Sequence, residues 1–469
     1  MKHWNLGIIH NRWRCEREHK EFGSLNLAFS TIEYSMKYVD PRIIINRTLK
    51  LKGSNLLLKD IYGQIVELDL NNFKSIYLVG AGKATAGMAE ALYKLLNGRI
   101  SAGAINVPYN TPARMERVSI TEASHPIPDE AGLMGTKKIL NVLSRAKDSD
   151  LVFVLLSGGG SALMPLPAKG ITIRQKQRII NSMMSAGAFI DEINVVRKHL
   201  SMIKGGQLLR FLKSRCRVVC LILSDVVGNR IDIVASGPTT PDTSTFNDAA
   251  SILRKYSIWR KVENSSVQKV INKGIHGIIN DTPKPGDPLF QNVSNILIGS
   301  NILICQKAKI YLKKHGLQAV NLGSSFDGEA KNFGALLAHL ASNIKKSSKP
   351  FAFILGGETT VKLNGSKNIG VGGRNQEAIL AAALKSKFHR DDDITILCMG
   401  TDGIDGKSDA AGGFVTPKTA SMVRERERQM RKYLDNHDSY NALSKLDSFI
   451  VTGQTGTNVN DISIICRLK

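Results

Sequence analysis

A chain of 469 residues, 42% hydrophobic and 22% charged, can bury two or three cores, which excludes a disulfide-stapled miniprotein or a wholly disordered tail. Lys+Arg 64 against Asp+Glu 40 leaves +24, which invites anionic partners; yet the dense basic run (Arg424, Arg426, Arg428, Arg431, Lys432) alternates with Glu425 and Glu427, and no nucleic-acid-binding signature accompanies it. The apolar runs 151–156 and 218–223 fall far short of the ~20 residues a membrane span needs, so neither nucleic acid nor membrane is an expected partner.

The first fifteen residues carry Lys2, Arg12 and Arg14 and no acid, so residues 1–25 read as a mitochondrial presequence or as a frayed basic terminus; Glu16 and Glu18 follow at once. The cysteines Cys15, Cys216, Cys220, Cys305, Cys398 and Cys466 form no CxxC pair. That fits a reducing compartment, cytoplasmic or mitochondrial, and argues against structural zinc.

Strands are predicted at 75–79, 102–107, 151–156, 218–223, 295–298, 351–355, 394–399 and 462–466, with helices at 84–96, 129–146, 172–187, 326–344 and 375–385. Continuously apolar strands alternating with helices predict an α/β fold with a parallel or mixed sheet. The turn-rich stretch 261–291 is where one lobe is expected to give way to a second, placing the domains at 26–285 and 286–469.

Several strand ends carry chemistry. Gly80-Ala-Gly82-Lys83 is a strand-to-helix turn suited to an anion. It matches neither the dinucleotide fingerprint, because Thr85 stands at the third glycine, nor the Walker A loop, because Tyr77 and Ala84 stand at two required positions. Ser157-Gly158-Gly159-Gly160-Ser161 gathers amides and two hydroxyls at the end of a buried strand, a cradle for phosphate. Between them His125 serves either as acid/base or carboxylate holder, or as an ordinary loop histidine, and Asp129 reads as a helix N-cap. Arg197, Lys198, His199 and Lys204 bunch together, with Arg197 and Lys204 two helical turns apart and able to share one anion-binding face. Asp225, directly after a buried strand, is a candidate base or metal ligand. Further on come Gly356-Gly357-Glu358, then Arg374-Asn375 at a helix start, where an arginine implies an anionic partner. Asp402 and Asp405 on a glycine-rich rim are candidate Mg²⁺ ligands.

The ordered set GAGKA, HPIPDE, SGGGSAL, INVVRKHLS, SDVVG, ASGPT, GGETTV, GGRNQE, GTDGIDG and TGTNVND, across roughly residues 29–467, resembles the glycerate 2-kinase family that ends in a MOFRL domain. The resemblance implies an α/β architecture: a Rossmann-like N-terminal domain, a smaller α/β C-terminal domain with its MOFRL region at about 350–467, and an active site in the cleft between them. It implies phosphorylation of D-glycerate, usually at the 2-hydroxyl, with ATP and Mg²⁺ as cofactors, and a chain that acts alone or as a homodimer. It places Lys83, Asp225, Arg374 and Asp402 at the catalytic centre. On this reading Gly80, Gly82 and 157–161 hold ATP phosphates, and His125, Arg197, Lys204, Glu358 and Asn375 hold substrate. Met202 departs from the family's usual basic residue, and Asn229-Arg230 from its usual acids. The alternative is a nicotinamide-dependent hydroxypyruvate reductase, against which the missing third glycine and ribose-binding acid count.

Overall fold

The computed structural model describes residues 7–343, 350–363 and 369–468. The chain divides into two compact units, Pro41–Gly299 and the pair of segments Met1–Asp40 with Ser300–Lys469.

In the unit Pro41–Gly299 six strands form one parallel sheet: β1 (Ile76–Ala81), β2 (Ile100–Pro108), β3 (Val118–Ala123), β4 (Leu151–Ser157), β5 (Arg217–Leu223) and β6 (Val293–Gly299). Their spatial order is β3-β2-β1-β4-β5-β6, the order of a dinucleotide-type doubly wound sheet. Every residue of β4 is buried, which explains its unbroken apolar sequence. The helix Glu130–Leu143 covers one face through Ile139, Val142 and Leu143. Asp129 caps it as expected, accepting from Gly132 N at 2.9 Å. A small antiparallel sheet, Leu49–Lys52, Asn55–Lys59 and Ile65–Asp69, precedes β1.

Four helices, Ile173–Ser185, Ile190–His199, Phe246–Lys255 and Ser266–Ile275, pack around their own core of Met183, Val196, Leu253 and Ile271. The last of them lies within 261–291, the stretch expected to separate the lobes. Its Val267, Val270 and Ile271 are buried in this unit, so the division falls later, after Gly299.

The other unit holds β7 (Gln318–Asn321), β8 (Phe351–Gly357), β9 (Ile394–Gly400), β10 (Gly412–Val415), β11 (Phe449–Ile450) and β12 (Asp461–Arg467), in the order β7-β8-β12-β9-β10-β11. Only β7 and β8 run parallel; β12 is antiparallel to both of its neighbours. Every residue of β9 is buried. Ile394, Ile396 and Cys398 meet Leu337 and Ile379 of the helices Ala330–Asn343 and Arg374–Lys385.

The early segment belongs here. His10 N donates to Val451 O at 2.7 Å, and Ser24 Oγ meets Thr395 Oγ1 at 2.8 Å. In the helix Gly23–Met36 the ring of Phe29 packs edge-on against Phe414. From His10 onward the stretch read as an N-terminal extension is therefore a built part of this unit, because its apolar side chains cover the sheet. Lys2, Trp4 and Leu6 lie outside the described residues. All six cysteines are free and buried, as small apolar side chains would be.

Candidate functional site

The switch in strand order lies between β1 and β4, and doubly wound sheets bind ligands at the carboxyl ends of the strands flanking that point. The two loops leaving β1 and β4 are locked together. Lys83 N donates to Gly158 O at 2.8 Å, and Ala84 N donates to Ser157 Oγ at 3.0 Å. A Cβ on Gly80 would stand 2.3 Å from Leu155 O, and one on Gly82 would stand 2.1 Å from Ser157 Oγ. Gly80, Gly82 and Ser157 were expected to hold phosphate. Their glycine and hydroxyl character serves this close packing, in which a side chain on either glycine would collide with β4.

The loop 158–161 differs. Gly159 has φ +80, a left-handed backbone that favours glycine. A Cβ there would approach His125 Cδ2 to 2.8 Å and Nε2 to 2.9 Å, and Lys83 Cγ to 3.4 Å. Gly159 thus gathers a lysine and an imidazole beside its exposed face. Ser161 Oγ accepts from Lys204 Nζ at 2.8 Å and meets Ser236 Oγ at 3.2 Å. The segment supporting it is strained: Ala235 (φ 51) and Ser236 (φ 61) are left-handed without being glycine. Such conformations cost ~1–3 kcal/mol each and concentrate at working sites.

The basic bunch splits in two. Lys198 pairs with Asp242 at 3.2 Å, and His199 Nε2 faces Asp281 Oδ1 at 2.9 Å, both as buried supports. Arg197 and Lys204 line a cavity of ≈ 450 Å³ with His125, Gly159 and Ser161. They share no helix face, because the helix ends at His199; the turn that follows brings Lys204 round to the same cavity. Lys176, which the sequence reading passed over, lines it too. Burial, and then the neighbouring Arg197, push the Lys176 ammonium down to about 7. Lys204 falls well below its ordinary value for the same reason, with Lys176 adding to the effect. Asp225 stands half-buried just past the end of β5.

The remaining candidates cluster in the other unit. Arg374 opens its helix and grips Asp461 with Nε at 2.6 Å and Nη2 at 2.9 Å, while Nη1 reaches Glu358 at 2.9 Å. The anionic partner expected for Arg374 is thus protein. Burial alone would lower its pKa; the Asp461 and Glu358 carboxylates more than reverse that. A Cβ on Gly400 would lie 3.3 Å from Asp402 Oδ1 and 3.4 Å from Asp461 Oδ1, so those two acids flank one point.

Asp405 does not fit the metal role. Its oxygens accept from Asn375 N (3.1 Å), Asn375 Nδ2 (3.3 Å), Gln376 N (2.8 Å) and Gln376 Nε2 (3.0 Å). It caps the helix that starts at Arg374, and burial pushes its carboxyl up to about 6. Asn375, expected at the substrate, is buried and spent on that cap. Among the described residues no group of three or more His, Cys, Asp or Glu could enclose a metal ion. Asp461 went unmarked in the sequence: it opens the last strand after a glycine-rich loop, whereas Asp225 follows the end of one.

Known proteins agree with this architecture. Residues 27–272 match the family model described as "Domain of unknown function (DUF4147)", and residues 351–461 match the MOFRL family. A D-glycerate 2-kinase of Thermotoga maritima is 40% identical over 399 residues, 84% of this chain and 91% of its own. A putative hydroxypyruvate reductase of Agrobacterium vitis is 37% identical over 392 residues, 83% of this chain and 86% of its own. The crystal structure of a glycerate kinase from Thermotoga maritima superposes with a TM-score of 0.79 at 36% identity, covering 95% of this chain and 99% of that one. The chain belongs to the glycerate 2-kinase family.

Proposed function

We propose that this protein is an ATP-dependent glycerate kinase that phosphorylates D-glycerate at its 2-hydroxyl. The observation that carries the reading is the loop 158–161 at the switch in strand order, with Gly159 held against His125 and Lys83. Phosphoryl transfer asks little covalent work of a protein and much positioning and charge stabilisation. The amides of 158–161 receive phosphate oxygens, and Lys83 balances charge on the transferring group. Asp225 orients the acceptor hydroxyl and takes its proton. The hydroxyl oxygen bonds to the γ-phosphorus as the bond from that phosphorus to the ADP oxygen breaks. Arg374, held by Asp461 and Glu358, presents a fixed guanidinium whose charge is already largely balanced, so we assign it to orientation.

Mg²⁺ in such reactions keeps several waters and takes one or two carboxylates plus substrate phosphates. The absence of an all-protein cage among the described residues fits that mode, and Asp402 is the carboxylate we assign to the ion. Its role there is to neutralise charge on the nucleotide.

The reductase reading draws on the name of the Agrobacterium relative. Against it stand Thr85, fully buried where the third fingerprint glycine belongs, and β2, which ends in Pro108 rather than an acid. Purified protein given D-glycerate and Mg-ATP should release ADP and form 2-phosphoglycerate. NADH oxidation by hydroxypyruvate without ADP release would overturn the kinase.

A further inference from the structure

One helix of the unit Pro41–Gly299 presents an entire stripe to the cavity beside the glycine loop. Ile173, Lys176, Gln177, Ile180, Asn181 and Met184 all line it, at offsets of 3, 4, 7, 8 and 11 from the first. Those offsets are one face of an α-helix. The helix Ile173–Ser185 joins its own core through Ile179, Ile180 and Met183, so Ile180 stands at the border between that core and the cavity. Lys176, Gln177, Asn181 and Met184 belong to no core, yet they line a cavity rather than open surface, and that needs another explanation.

The cavity has two ends of different chemistry. At one, Lys176, Arg197 and Lys204 converge near Gly159 and Ser161. Lys176 donates to Arg197 O at 2.9 Å, Lys204 to Ser161 and Ala235, and Arg197 to Asn194. None of these partners is a carboxylate, and none of the lining residues is acidic. Three basic groups sharing one wall without an acid disfavour one another's charge, and an anion carrying several charges restores it. Further along the helix Ile180 and Met184 offer apolar surface, with Gln177 and Asn181 as amides beside it, and Ile127 adds apolar lining. Ile127 and Met184 are 60% and 53% exposed, large apolar side chains left uncovered. Eight residues separate Lys176 from Met184, about 12 Å along the helix.

Size decides between the two substrates. A cavity of ≈ 450 Å³ sits within the range of about 300–1,000 Å³ that holds cofactor-sized ligands. A three-carbon acid would leave most of it empty and would use neither the apolar end nor its amides. Resting on the kinase reading above, we infer that the helix Ile173–Ser185 is the nucleotide wall: Lys176 contacts the phosphate chain, Ile180 and Met184 cover the face of the base, and Gln177 and Asn181 meet its polar edge. The acceptor acid lies outside this cavity, on the Lys83 side of the glycine loop.

Calorimetric titration of the full chain with ADP and with tripolyphosphate, alongside KM for ATP and for D-glycerate, tests this. Lys176→Gln should weaken both ligands at least about tenfold and raise the KM for ATP, with the KM for glycerate within about twofold. Met184→Glu, at an exposed position where the melting temperature should not change, should weaken ADP and spare tripolyphosphate. Raised glycerate KM with ADP affinity intact would hand the cavity to the acceptor and overturn the inference. Unchanged binding in both variants would overturn it equally. Wild-type protein that binds ADP through these residues yet forms no phosphoglycerate would sink the kinase reading and leave the nucleotide wall standing.

Discussion

Arg374 and Asp461 form a two-pronged ion pair, Nε to Oδ2 at 2.6 Å and Nη2 to Oδ1 at 2.9 Å, joining the first residue of a helix to the first residue of the last strand. The carboxylate is almost wholly buried; the second partner of the guanidinium, Glu358, is 42% exposed. Removing the buried member should cost far more than removing the exposed one. Asp461→Ala is expected to lose about 3 kcal/mol, and Glu358→Ala less than about 1 kcal/mol, both read from urea denaturation. Equal losses would mean that the bidentate geometry contributes nothing beyond a surface pair.

Gly159→Val tests the glycine loop. The added side chain meets His125 within 2.9 Å and occupies a left-handed backbone. ATP affinity should fall sharply and kcat/KM by at least ~10²-fold, with a modest drop in melting temperature. A variant with normal turnover would make the triple glycine a mere connection.

Lys83→Ala should lower kcat/KM by at least ~10²-fold while changing stability by no more than about 0.5 kcal/mol, since the side chain is half-buried on a loop. Loss of activity matched by loss of fold would reassign this lysine to structure.

Three carboxylates separate by metal titration. Asp225→Asn should keep substrate binding and lower kcat by roughly 10²–10⁴-fold, or less if the acid mainly orients the hydroxyl. Asp402→Asn should raise the Mg²⁺ concentration needed for half activity, with partial rescue by excess metal. Asp405→Asn should shift neither parameter directly and instead soften the helix start it caps. Metal rescue of the Asp225 variant, but not of the Asp402 variant, would reverse the assignment.

Lys176 supplies a pH test. Its ammonium is pushed down to about 7, mainly by burial and then by Arg197. At pH 8 the free protein therefore holds this side chain largely neutral, and a bound phosphate favours the charged form. ADP binding should take up to about one proton from solution at pH 8 and markedly less at pH 6, where the lysine is already charged. Calorimetry in buffers of different ionisation enthalpy reads this directly. Uptake that persists in Lys176→Gln would place the proton elsewhere.

The long apolar strands were legible because burial on both faces leaves an unbroken sequence signature. The predicted runs 151–156 and 394–399 became β4 and β9, each extended by one residue. The short edge strands Val118–Ala123 and Phe449–Ile450 were not legible, since an edge strand carries polar residues and little periodicity. Asp405 misled for a physical reason. A carboxylate in a glycine-rich turn looks the same in sequence whether it faces a metal or a helix terminus distant in the chain. Lys176 was hidden by its helix, whose charged pattern reads as solvated until tertiary packing lays one face against a cavity. Gly80 and Gly82 show the same ambiguity, since close backbone approach serves a neighbouring strand as readily as a phosphate.

The helix Gly23–Met36 buries Leu25, Phe29 and Ile32 in the unit completed by β12. During synthesis that apolar face leaves the ribosome long before β9 and β12, the strands it covers. The intervening Pro41–Gly299 is contiguous and can complete its own sheet while the early helix waits. Until β12 arrives, the waiting helix is a stretch of uncovered Leu, Phe and Ile, open to chaperone capture or to pairing with another nascent chain. A truncation that removes β12 should therefore leave the first forty residues sticky and proteolytically cut, while Pro41–Gly299 survives as a folded core.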